Sequence, residues 1–180
     1  AYELEATLAS EEREHELRDL RRLFPADVRY LYVRQREYTG LGSAIRCARP
    51  LVGDEPFAVI LPDVLIDAQR PAIAQLIESF STMHEPVLGV QPARDGDVAV
   101  DTLKTGVSYR EHNHHVVRFS RDGDAEPGSL IAAGRYVLTE AIFRYLEQIP
   151  PAGSAEVGLH RALQAMLSDQ ALVACEIVGQ

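Results

Sequence analysis

Asp63 sits behind Pro62 and the apolar run Phe57–Leu61, and no other carboxylate in the sequence is as suggestively placed. Five apolar residues are too few for a globular helix, and these are rich in strand formers. They predict a fully buried strand of an α/β sheet that stops at Pro62-Asp63. Open α/β sheets bind ligands at the carboxyl ends of their strands. A carboxylate placed there can hold a metal ion against a bound phosphate. It can equally cap the segment that follows, and the residues alone leave both readings open. Upstream, the strand-like run Val28–Arg34 is closed by Gln35 and followed by Gly40-Leu41-Gly42-Ser43. The Gln35 amide carries both a donor and an acceptor, as the edge of a nucleobase requires. Glycines ahead of a helix let backbone approach a flat or anionic ligand, although a plain loop needs them too.

Other ionisable groups are less suggestive. Glu111-His-Asn-His-His115 contains metal-ligating types, but strand alternation sends His112 and His114 to one face and His115 to the other. A solvated hairpin tip is the preferred reading. Asp54, Glu55 and Glu85 sit in or beside proline-containing turns and read as exposed loop charge.

The elements that must position these groups follow from periodicity. Residues 1 to about 22 read as helical, with Ser10 ahead of Glu11 and Glu12 as a helix start. Ala44 to Val52 has helical spacing until Pro50, so Val28 to Asp63 reads as a βαβ unit. Pro71–Phe80 is amphipathic, with Ile73, Leu76, Ile77 and Phe80 on one face. Pro86–Val90 is a buried strand. The polar stretch from about Arg94 to Gly128 carries short strands at Val107–Arg110 and Val116–Phe119. Leu130–Leu138 is another strand, Thr139 caps a helix to Gln148, and Ser154 starts one reaching Ser168 with Leu159, Ala162, Leu163 and Met166 inward. Ala171–Val178 closes the chain as a strand.

Composition bounds the function classes. At 180 residues, 46% hydrophobic and 25% charged, the chain fits one soluble domain with a substantial core, residues 1–180. A net charge of −9 argues against a nucleic-acid or anionic-membrane surface. No apolar stretch approaches a membrane span and no leader is expected. Cys47 and Cys175 form no close motif and read as reduced, packed thiols of a cytoplasmic protein. The chain opens on Ala1, which suggests that it does not begin at a native start.

Several motifs run in one order: Tyr2–Leu8, Val33-Arg-Gln35, Gly40–Pro50, Val52–Pro56, Ala58–Val64 and Gly134–Leu138. Together they resemble the bacterial UTP–glucose-1-phosphate uridylyltransferases, or UDP-glucose pyrophosphorylases, over most of the chain and most closely from Val33 to Asp67. The resemblance implies a Rossmann-like nucleotidyltransferase fold, a three-layer αβα with a mixed, mainly parallel sheet. It implies uridylyl transfer from UTP to glucose 1-phosphate, giving UDP-glucose and pyrophosphate, with Mg²⁺ as cofactor and a homo-oligomer as partner state. It places Gln35, Gly40, Leu41 and Gly42 against the uracil, Asp63 on the metal, and Gly134, Glu156 and Arg121 at the sugar. No side chain is assigned as a general base, because the attacking phosphate oxygen is already ionised at neutral pH.

The departures from the family are specific. Its N-terminal strand and Gly-rich loop, which hold the triphosphate, have no counterpart after Ala1, and Lys104 is the single lysine. Its second metal-binding aspartate lies beyond Gln180, so the chain reads as incomplete at both ends relative to the family. Ser120-Arg121-Asp122 stands where the family has Glu-Lys-Pro, and Arg161 where it has aspartate. Two alternatives follow. One is a degenerate paralogue that binds a uridine nucleotide or an enzyme partner without catalysis. The other is a nucleotide-sugar glycosyltransferase, ranked last because Pro62-Asp63-Val64-Leu65 offers one aspartate and no Asp-x-Asp.

Overall fold

In the computed structural model of the chain, residues 2–23, 27–36, 39–94, 101–110, 112–120, 128–149 and 158–179 are described. The chain divides into two compact units, Ala1–Arg34 and Gln35–Gln180. In the first, α1 (Tyr2–Ser10) and α2 (Glu14–Leu23) are bridged by an ion pair, Arg21 Nε to Glu5 Oε2 at 3.2 Å. The expected start at Ser10 is corrected, because Ser10 ends α1. Its hydroxyl donates back to the Thr7 carbonyl (2.8 Å), and Glu12 takes a left-handed conformation (φ 56°) that breaks the helix. Glu14 and Glu16 then supply the negative charge that the first turn of α2 favours. The expected strand Val28–Arg34 is also corrected. Among the described residues they pair with no strand, and Leu31 and Tyr32 are 67% and 90% exposed.

The second unit is built on a six-stranded sheet. Its strands are β1 (Phe57–Ile60), β2 (Val87–Pro92), β3 (Thr102–Arg110), β4 (Asn113–Ser120), β5 (Leu130–Leu138) and β6 (Val173–Glu176), in the order β1-β5-β2-β6-β4-β3, with β3 also meeting β5. Helices flank it: α3 (Leu41–Cys47), α4 (Arg49–Val52), α5 (Ala72–Met83), α6 (Ala141–Gln148) and α7 (Leu159–Met166). Strand alternation feeds two cores. Val87, Ala133, Val137, Val173 and Cys175 point to the side of Ala72 and Leu76 on α5. Leu88, Val90, Tyr136, Leu138 and Ala174 point to the side of Ile142, Leu146, Leu163 and Met166 on α6 and α7. Near-continuous apolar runs such as Leu172–Cys175 are what a strand covered on both faces needs. The three-layer αβα arrangement and the mixed sheet are as expected. The parallel share is smaller than expected, since β2 with β6 is parallel while the β1–β5, β2–β5, β3–β4, β3–β5 and β4–β6 pairs are antiparallel.

β1 differs from its expected burial. It pairs with β5 and with no other described strand, and its residues alternate between half-buried and exposed, with Ile60 54% exposed. Phe57 stacks on Phe143 of α6, ring centroids 5.4 Å apart, which secures one face of this edge strand. On α5 the buried stripe runs through Ala72, Leu76 and Ser79, which leaves Ile77 49% exposed rather than inward. Thr139 does not cap α6. The helix follows Glu140 without a side-chain cap, and the Thr139 hydroxyl is buried with no hydrogen-bond partner among the described residues. The inward set Leu159, Ala162, Leu163 and Met166 on α7 is buried as expected, and Ser154 lies outside the described residues.

Candidate functional site

Two small assemblies hold the described candidate residues. The first surrounds the start of α3. Gln35 Nε2 donates to the Gly40 carbonyl at 3.3 Å, and the Ala44 N–H bonds the same carbonyl at 3.2 Å. Gly40 has φ 96°, a conformation that side chains resist, so the turn into α3 requires glycine there. Gly42 and Ser43 are buried where α3 packs on α6 and α7, whereas Gln35, Gly40 and Leu41 are half-buried. The amide of Gln35 is thereby fixed beside the Gly40–Gly42 turn. One amide proton is engaged with Gly40, and the carbonyl of the amide keeps its acceptor capacity.

The second assembly lies at the carboxyl end of β1. Asp63 is exposed in the turn that follows Leu61, as strand-end chemistry requires. That turn rests on β5. The Leu61 N–H donates to the Gly134 carbonyl at 2.9 Å. Arg135 Nη1 donates to the carbonyls of Leu61 (3.0 Å) and Gly134 (3.3 Å), and its Nη2 to that of Val64 (2.6 Å). Gly134 has φ 65°. A Cβ there would meet Val64 Cγ2 at 3.0 Å and Leu61 Cβ at 3.2 Å. The missing side chain is therefore needed first by the Leu61–Val64 turn that packs over it. Arg135 carries a signal that sequence reading passed over, a lone charge inside the apolar strand Leu130–Leu138.

Gln35 is thus joined to Gly40 and the Asp63 turn to Gly134, while no hydrogen bond or ion pair among the described residues links the two assemblies. Arg121 and Glu156 lie outside the described residues. Among the described residues, no three His, Cys, Asp or Glu side chains gather as a metal cluster. A single carboxylate at a strand end still fits Mg²⁺, which is usually held by one or two carboxylates together with substrate phosphates and water. His114 is tied within the sheet, Nδ1 to Ser108 Oγ at 2.9 Å and Nε2 3.5 Å from Glu176. A cleft of 890 Å³ opens beside α5, lined by residues including Asp67, Arg70, Ser79, Asn113 and Cys175 and by none of the candidates. Burial pushes the Cys175 thiol up to about 11, which keeps it protonated at neutral pH.

No family model matches the chain. Relatives do. It is 38% identical over 155 residues to the UTP–glucose-1-phosphate uridylyltransferase of Staphylococcus epidermidis, covering 82% of this chain and 52% of that protein. To the enzyme of that name in Bacillus subtilis it is 35% identical over 153 residues, 83% of this chain and 52% of that one. The chain is similar to the UTP–glucose-1-phosphate uridylyltransferases over 82% of its own length. In three dimensions it superposes on a UTP-bound UGPase from Acinetobacter baumannii with TM-score 0.80 and 26% identity, covering 100% of this chain and 64% of that one. The chain spans about half the length of the curated relatives it matches, the fraction being 52% for both named above. Among the described residues, no helix is long and apolar enough to cross a membrane.

Proposed function

We propose that the chain carries the uracil-facing and sugar-facing part of a uridylyltransferase that joins UTP to glucose 1-phosphate. The sequence likeness over 82% of the chain carries this reading. A phosphate oxygen of glucose 1-phosphate attacks the α-phosphorus of UTP in line, the bond to the β-phosphate breaks, and pyrophosphate leaves. That chemistry asks the protein for positioning and charge neutralisation more than for proton transfer. Gln35 presents its amide to the uracil edge while Gly40, Leu41 and Gly42 offer backbone to the ring. Asp63 holds Mg²⁺, which supplies charge neutralisation at the phosphates when bound. Gly134 contributes backbone at the sugar, with Glu156 and Arg121 as its further contacts. The protein acts in the cytoplasm as a homo-oligomer, with UTP, glucose 1-phosphate and UDP-glucose as its ligands and with neither nucleic acid nor membrane as partner. Its net charge of −9 supports the last two exclusions.

The test is release of pyrophosphate from UTP and glucose 1-phosphate with Mg²⁺, paired with calorimetric binding of UTP and ATP. Turnover together with preference for UTP is expected, and equal affinity for UTP and ATP contradicts the reading. One observation favours a second reading, binding without catalysis. Arg161 is exposed at the start of α7 where the resemblance implies an aspartate, which reverses a charge on the sugar side. Tight UTP binding without pyrophosphate release supports that second reading.

A further inference from the structure

We propose that Arg135 is a positioning residue for Asp63, acting as a clamp that fixes the turn at the end of β1. The inference rests on the metal role of Asp63 proposed above. Pro62 and Asp63 sit between the two carbonyls that Arg135 takes from the turn, those of Leu61 at 3.0 Å and Val64 at 2.6 Å. A planar guanidinium can span two carbonyls flanking a turn in one fixed geometry, which a lysine ammonium cannot reproduce. The anchor is itself rigid, because Arg135 lies on β5 opposite Ile60 of β1 in the sheet register. Gly134 completes the clamp. Its carbonyl takes the Leu61 N–H, and the space beside its Cα is filled by Leu61 and Val64. A metal-binding carboxylate on a turn needs outer partners to hold its direction, and losing such partners typically weakens metal binding. At Asp63 the backbone of the turn itself is held, because the Leu61 and Val64 carbonyls on either side accept from Arg135 on the neighbouring strand.

The test compares the unsubstituted 180-residue protein with Arg135→Gln and Arg135→Lys. Amide hydrogen exchange is read over residues 61–66, with β4 as the internal control of folding. UDP-glucose affinity is read with Mg²⁺ and again with EDTA. Exchange in 61–66 is expected to quicken about tenfold in Arg135→Gln with β4 unchanged. The ratio of affinities with Mg²⁺ and with EDTA should shrink about tenfold, while the EDTA affinity stays the same. Arg135→Lys should fall between the two proteins, and it provides the reading if Arg135→Gln does not fold. Unchanged exchange at 61–66 overturns the clamp. Faster exchange with an unchanged Mg²⁺-to-EDTA ratio overturns its role toward Asp63. If the unsubstituted protein binds no UDP-glucose at all, the uridylyltransferase reading fails, and the exchange rates at 61–66 still decide the clamp.

Discussion

At the scale of single residues, the chain separates groups that do chemistry from groups that make room for it. Gln35 is proposed for the first kind, and its bond to the Gly40 carbonyl sets the direction of its amide. Gln35→Ala should lower UTP affinity by about 1 kcal/mol, the worth of one base-edge hydrogen bond, and leave ATP affinity unchanged in the same calorimeter. Gly134 belongs to the second kind. Its φ of 65° and the Val64 methyl 3.0 Å from where a Cβ would sit make any side chain costly. Gly134→Ala should lose about 1–2 kcal/mol in urea unfolding from the left-handed backbone alone. The exposed turn at Asp63 was legible because a proline-aspartate pair ends an apolar run. The Arg135 contacts were not, because hydrogen bonds to carbonyls of a distant segment leave no spacing in the sequence.

At the scale of elements, the strands and helices that bury apolar residues on two faces were readable from composition and period. Leu130–Leu138 and the inward face of α7 stand where periodicity places them. Misplacements occur where a pattern has no partner to satisfy it. Val28–Arg34 is rich in strand formers, yet a strand exists only through a neighbour that takes its backbone hydrogen bonds. Ser10 and Thr139 have capping side chains, but local bonding to Thr7 and burial, respectively, divert them. On α5 the apolar set was wider than the buried stripe, and register alone selects Leu76 over Ile77. Leu76→Ala should therefore destabilise by about 2–5 kcal/mol in chemical denaturation. Ile77→Ala, on the exposed flank, should change stability by about 0.5 kcal/mol or less.

At the scale of the whole molecule, two buried acids make stability depend on alkaline pH. Burial, with the charge of Asp101 adding to it, pushes the Tyr136 hydroxyl from 10.0 up to about 12. Burial also raises the Cys175 thiol from 9.0 to about 11. In both cases the unfolded chain releases its proton first, so it binds fewer protons than the folded one between the two values. Stability is then full below pH 9 and falls as pH rises through 9 to 12. The urea midpoint should drop across that window, and Cys175→Ala should flatten the part between pH 9 and 11. The αβα layering and the likeness to the uridylyltransferases were both legible from contiguous motifs. The small parallel share of the sheet was not, since strand order depends on contacts between segments far apart in the chain. A uridine site with its metal on Asp63 makes UDP-glucose binding depend on Mg²⁺, which is measured on the protein and on Asp63→Asn, with Mg²⁺ and with EDTA. Tighter binding with Mg²⁺ is expected in the unsubstituted protein and no metal dependence in Asp63→Asn, with EDTA affinities equal. Identical affinities with and without Mg²⁺ in the unsubstituted protein would contradict it.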